Sequence, residues 1–299
     1  KSPWLEEAKK HAKVVQWHRR KVLNAPEQAL ALQRALIQAE LDTLAVFNSQ
    51  IGWALVHENS QVLAKKVIAA SFATIPLPMG FTSCPPFHLK GDHPTLTLLT
   101  DNDRHAAKLR DYCDIPADRV VVIPPRVTYA GESKRSGLTK KHIRVLWAGR
   151  GTDEKCPLAV LYAAMAMRDE ADFHVFGDVP VVPHALDNLK YRGPFDGFES
   201  IDGTFDVYLM TSLSEGCPNT ALEAIMADLP VVASDVGDLK KLSCVVYQAN
   251  TDPQRMAANA VTALRAFMKT VGDFDTAKPK LIATGFAENF EASIKALAV

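Results

Sequence analysis

The stretch Tyr208–Asp235, YLMTSLSEGCPNTALEAIMADLPVVASD, restricts the fold of this chain more than any other. It is entered through a short apolar run, Val207–Met210, without polar alternation, which marks a strand buried on both faces. A polar turn with Glu215 and Gly216 follows. Asn219–Met226 then places Leu222, Ile225 and Met226 on one helical stripe, with Asn219 and Thr220 positioned to start the helix. Pro230–Ala233 reads as a second buried strand. Such a strand–loop–helix–strand unit collects its functional groups at the carboxyl ends of the strands.

Two carboxylates bracket the start of that helix. Glu215 lies in the turn and Glu223 one turn inside, with seven residues between them. The amides near Asn219 and Thr220, together with the helix dipole, form an anion site. One segment thus offers N–H groups to a phosphate and carboxylates to hydroxyls, the pattern that a sugar nucleotide presents.

The rest of the chain repeats the same alternation. Residues 3–22 and 26–40 read as helices, each with a proline near its start. Strands are expected at Thr43–Phe47, Val67–Phe72, Thr95–Leu99 and Arg119–Ile123, with helices from about residue 51 to 66 and over Asn102–Tyr112. Residues 74–94 form a long loop, and residues 128–141 a polar linker. Ile143–Ala148 opens a second β-α series: a helix over Pro157–Met167, a strand over Phe173–Gly177 and an edge segment over Tyr191–Phe195. A short polar helix or turn is expected at Ile201–Phe205. Val245–Tyr247 is the last strand, and helices follow over Pro253–Thr270 and Gly285–Leu297. Repeated β-α units imply parallel sheets covered by helices.

Composition excludes several classes. Lys plus Arg and Asp plus Glu both number 34, so no basic excess points to nucleic acid. The five cysteines, at 84, 113, 156, 217 and 244, show no CxxC pair and fit a reducing compartment, here the cytoplasm. No apolar run approaches the roughly 20 residues that span a bilayer. Residue 1 is Lys and no signal peptide is evident, so the chain is expected to begin inside a larger protein or after processing. The basic run His18–Lys21 reads as a solvated helix end, with peripheral membrane contact as the alternative. Among the histidines, His57, His88, His93 and His105 show no metal-ligand spacing, and His88 and His93 read as loop surface. Asp101-Asn102-Asp103 reads as a helix cap, so no catalytic metal is expected.

The run Glu215-Gly216-Cys217-Pro218-Asn219-Thr220-Ala221-Leu222-Glu223 resembles the E-x7-E signature of retaining glycosyltransferases of the GT-B fold, family 4. Leu229–Gly237 is similar to the segment that follows it in that family. Gly149-Arg150…Lys155 is similar to the family's G-R-x-x-x-x-K element. Its glycine lets the backbone approach a diphosphate, Arg150 forks onto two oxygens and Lys155 adds a point charge. Neutralising the leaving diphosphate is the main electrostatic demand when no metal takes part.

The resemblance implies an α/β, GT-B chain with two Rossmann-like domains whose parallel sheets face across a cleft. The first, residues 1–137 joined by a C-terminal helix at 280–299, is shortened and takes the acceptor. The second, residues 138–279, binds the donor, and closure aligns the two. By resemblance, Glu215, Arg150 and Lys155 are the catalytic residues, and Gly149, Arg150, Lys155, Glu215, Gly216, Cys217, Pro218, Asn219 and Thr220 hold the donor. Glu223 takes the ribose, and Gly193 to Phe195 the base. No cofactor is implied. The partners are a nucleoside-diphosphate sugar and a carbohydrate or glycolipid acceptor, as in polysaccharide assembly. The sequence departs from the family at Asp228 and Asp238, where glycine is usual, and no histidine follows the strands at 43–47 or 67–72. A nucleotide-sugar-binding module without transfer activity, or a sugar-nucleotide epimerase, remains an alternative.

Overall fold

The computed structural model describes residues 25–47, 52–57, 64–72, 93–113, 115–123, 125, 127, 129, 131–135, 142–179, 186–242 and 244–270. The expected helices at 3–22 and 285–297, most of the 74–94 loop and residues 136–141 of the linker lie outside them. The described residues divide into two compact units, one within Lys1–Ile68 and His93–Leu96, the other within Ala69–Asp92 and Thr97–Val299.

Among the described residues, ten strands form two sheets. In the first, β1 (Thr43–Val46), β2 (Lys66–Ala70), β3 (Leu96–Thr100) and β4 (Val120–Val122) run in that order. In the smaller unit, α1 (Ala25–Gln38) and the helical residues 52–57, α2, accompany β1. Trp53, Leu55 and Val56 of α2 are buried, and so are Val46 and Val67.

In the larger unit, β3 and β4 are parallel and joined through α3 (Asp103–Tyr112). Asn102 caps α3, as its place in the sequence suggests: its side chain accepts the His105 N–H at 2.7 Å. The cap is doubled. The Asp238 carboxylate, 134 or more residues away, accepts the N–H groups of Asp103 (2.8 Å) and Arg104 (3.2 Å). Arg104 in turn donates to Asp235. Asp238, a departure from the family at the level of sequence, thus anchors a helix start in which two orphan amides need acceptors.

The second sheet carries β5 (Ile143–Ala148), β6 (Ala171–Phe176), β7 (Leu189–Gly193), β8 (Val207–Met210), β9 (Val231–Ser234) and β10 (Val245–Tyr247). Its order is β10-β9-β8-β5-β6-β7, with every pairing parallel. Counted from β5, this is the 3-2-1-4-5-6 arrangement of a doubly wound sheet. Apart from Arg144 and Ser234, β5, β8 and β9 are apolar, and they are almost wholly buried because helices cover both faces. On one face, Ile143, Val145, Trp147, Phe173 and Val175 pack against α4 (Pro157–Ala166) and α6 (Pro253–Thr270). On the other, Leu146, Tyr208 and Met210 pack against α5 (Asn219–Met226) with Phe198 and Phe205.

Two local expectations change. Residues 201–205 are not helical; a single 3₁₀ turn at Phe198–Ser200 precedes them, because Phe198 plugs the core while the polar residues after it stay in a bend. α5 starts at Asn219 as expected, but the capping position before it is Pro218, extended at φ −71° and ψ 116°, so neither Asn219 nor Thr220 caps the helix.

The face carrying His174 sets a pH dependence. This β6 ring is 2% exposed and lies edge-on to Phe205. Arg192 donates to its Nδ1 from two nitrogens, 2.9 and 3.0 Å away, so the neutral ring carries its proton on Nε2. Burial first, then Arg192 and Arg144, push its pKa down to about 4. Burial and Lys108 do the same to His105, also to about 4. The unfolded rings bind a proton near 6.5, so stability that is full above that pH drains away as pH falls from 6.5 towards 4. For His174 the loss is about 3 kcal/mol. Urea midpoints between pH 7 and 4.5 should show it, and a His174→Phe chain should show a shallower slope. Equal slopes would rule His174 out.

Candidate functional site

β5 and β8 are neighbours, but the chain leaves them in opposite directions, to β6 and β7 on one side and to β9 and β10 on the other. Ligands of open α/β sheets bind at the carboxyl ends of such a switch point. A cavity of about 460 Å³ opens there. It is lined by Gly149 and Arg150 after β5, Lys155, Gly177 and Asp178 after β6, Pro194 and Phe195 after β7, and Ser212, Glu215, Pro218, Asn219 and Thr220 after β8.

Close backbone approach explains two glycines. Gly177 has φ +122°, and a Cβ there would overlap the Gly149 carbonyl oxygen. The two segments are stitched together: Gly149 N–H donates to Phe176 O (3.1 Å), and Gly177 N–H to Gly193 O (2.7 Å). At Gly149, a Cβ would sit 3.0 Å from the Trp147 ring, so the indole fills the floor only beneath a glycine.

The charged groups converge. Lys155 Nζ is ion-paired with Glu215 Oε1, both side chains being less than a fifth exposed. Glu154 joins from 3.6 Å to Lys155 and from 3.6 Å to Arg150. The Arg150 guanidinium is itself largely exposed at the mouth. The same cavity is lined by the start of α5, where no side chain caps the first turn. The amides of Asn219 and Thr220 therefore carry the helix's positive end to the cavity wall. Tyr208 rises through the floor. Its hydroxyl donates to Ala148 O at 3.2 Å and interacts with Thr220, and burial holds its pKa well above the ordinary range.

Four residues named from the sequence do not line the cavity: Gly193, Gly216, Cys217 and Glu223. Gly193 acts through its carbonyl on Gly177. Gly216 is pressed on two sides, because a Cβ would meet the Asp101 carboxylate, while Gly237 (φ +54°) leans on its carbonyl oxygen. Cys217 is buried and its N–H is accepted by Asp101; burial, Asp101 and Asp238 push its thiol up to about 12, so it is no nucleophile near neutral pH. Glu223 is partly buried, and burial together with the charge of Glu199 holds its carboxyl above the usual range.

The residues that sequence reading passed over are Trp147, Tyr208, Asp178, Thr211 and Glu154. Only Glu154 left a signal: it stands four residues after Arg150, at ion-pair spacing.

Residues 142–266 match the family model described as glycosyl transferases group 1. The second sheet thus lies within a segment similar to group 1 glycosyltransferases. Solved structures extend the likeness in fold to most of the chain. An apo lipopolysaccharide outer core galactosyltransferase, WaaB, superposes with a TM-score of 0.60 at 13% identity, over 91% of this chain and 80% of that one. WaaG, a glycosyltransferase of lipopolysaccharide biosynthesis, gives 0.58 at 14%, over 93% and 86%. HepE of Anabaena in complex with UDP and glucose gives 0.63 at 12%, over 91% and 81%. The sequence has no match among curated proteins. These neighbours are GT-B glycosyltransferases, and the α/β architecture with two parallel sheets is the GT-B fold. No described helix is long and apolar enough to cross a membrane.

Proposed function

We propose that this glycosyltransferase is retaining and metal-independent, and moves a sugar from a nucleoside-diphosphate sugar to a hydroxyl of a glycan or glycolipid. One observation carries the reading: Lys155, Glu215, Arg150 and the uncapped start of α5 share a single cavity at the switch point. The diphosphate lies between the α5 amides and the two cations, which neutralise the charge that grows on it as the glycosidic C–O bond breaks. Glu215, released from Lys155, takes hydroxyls of the sugar. By resemblance Phe195, on the cavity wall, is assigned to the base and Glu223, outside the cavity lining, to the ribose. The acceptor oxygen forms its bond to the anomeric carbon on the face the diphosphate leaves, and its proton passes to the departing phosphate oxygen. Retention follows from that single-face exchange.

Uridine diphosphate is the first nucleotide to test, because the HepE structure holds it. The chain should be stabilised by UDP in a thermal-shift assay and should release UDP from UDP-sugars in the presence of EDTA. NMR of the product should show the donor's anomeric configuration. Arg150→Ala and Glu223→Ala should each lower turnover at least about tenfold, the worth of one lost charge-assisted hydrogen bond. Inverted product, or full activity in both variants, would refute the reading. Binding of UDP-sugar without turnover on any glycan pool would make the chain a binding module.

A further inference from the structure

We infer that Thr211 is a positioning residue for Lys155, an inference that rests on the donor site proposed above. Thr211 follows β8 directly and is fully buried. Its hydroxyl is engaged in both senses. Oγ1 accepts the Trp147 Nε1–H at 3.0 Å, and its own proton is shared between the carbonyl oxygens of Lys155 (2.8 Å) and Cys156 (3.2 Å).

Those carbonyls belong to a short turn whose own bonds run from the Lys155 and Cys156 N–H groups back to Thr152 O. Asp153–Lys155 is a single 3₁₀ turn, and Cys156 adopts the left-handed conformation, φ 50° and ψ 55°, without being glycine. Such a residue persists only where its surroundings over-determine it. Two clamps do so here, both from the end of β8: the Thr211 hydroxyl, and Leu213 N–H donating to Glu154 O at 2.7 Å. The same strand end continues to Glu215, the partner of Lys155. One strand terminus therefore sets both members of the ion pair.

A hydroxyl is required for geometric reasons. Valine has nearly the same shape, but it would leave the Trp147 N–H and the Lys155 carbonyl facing an apolar group in a dry interior. The turn would relax, and Lys155 would no longer meet the leaving diphosphate at a fixed distance.

The full chain is tested as Thr211→Val and Thr211→Ser. In hydrogen exchange, the Lys155 and Cys156 amides, both bonded to Thr152 O, should open faster in the valine variant and stay protected in the serine variant. With a UDP-sugar that the wild type turns over, kcat should fall about tenfold or more in Thr211→Val, with a smaller change in KM, and serine should restore it. In a Lys155→Ala background Thr211→Val should add almost nothing, which a general packing role would not reproduce. Wild-type exchange and kcat in Thr211→Val, a serine variant as impaired as valine, or full additivity with Lys155→Ala would each overturn the inference. Should the valine variant fail to fold, Thr211→Ala against Thr211→Ser gives the same contrast. Should the wild type neither bind nor turn over any nucleotide sugar, the proposed function falls by itself. The exchange result then decides the role of Thr211: faster opening upholds it and unchanged opening ends it.

Discussion

A Gly177→Val chain should lose about 2–4 kcal/mol of stability and most of its affinity for a nucleoside diphosphate. The valine must adopt φ +122°, open in practice only to glycine, and its Cβ must enter space held by the Gly149 carbonyl oxygen. Both obstacles are backbone, so no rotamer change relieves them. The strain falls on the segment that leads into Arg150 and Lys155, so the loss of binding should exceed what instability alone explains. Urea unfolding followed by UDP titration of the folded fraction separates the two effects. A change in stability below 0.5 kcal/mol, the size expected at an indifferent surface position, would show that the close approach does not matter.

Lys155→Ala should lower turnover about 10²–10³-fold, the range found when one preorganised group that stabilises transition-state charge is removed. Glu215→Gln should reduce it by a comparable factor, and the double variant should fall well short of the product of the two. The reason is the pairing itself. Each side chain holds the other in the cavity, so deleting one already displaces its partner. Steady-state kinetics on the three variants tests this. Multiplicative losses would mean that the two groups act independently, and an active Lys155→Ala chain would remove the cation from the mechanism.

The parts of this architecture that could be read in advance are those whose signal is local. Val207–Met210 was legible because burial on both faces leaves an unbroken apolar run, and Ile143–Ala148 because only Arg144 interrupts one. Asn219–Met226 and Pro253–Thr270 were legible because one face repeats at helical spacing. Lys155 and Glu215 were assigned to one site by resemblance, but their ion pair leaves no local signal, because 60 positions separate the two. The remainder is a matter of contacts between distant residues. Thr211 acts on Lys155 across 56 positions and receives from Trp147 across 64, so neither pair leaves a periodic trace. Asp238 is the sharpest case. Against the family it is a missing glycine, and its purpose appears only when α3 arrives beside it. α5 begins at Asn219, and the residue before it, Pro218, offers no side-chain acceptor to its first turn. The 3₁₀ turns at 153–155, 198–200 and 239–241 are too short to carry any pattern.

The Asp238 carboxylate grips the first two amides of α3, its neighbour Gly237 rests on Gly216, and Gly216 leads directly from Glu215. Asp101, just before α3, holds the Cys217 N–H from the other side. The helix and the acidic loop are geared together like two cogs on one shaft. Any displacement of α3 would therefore have to break the Asp238 and Asp101 contacts to the loop that carries Glu215.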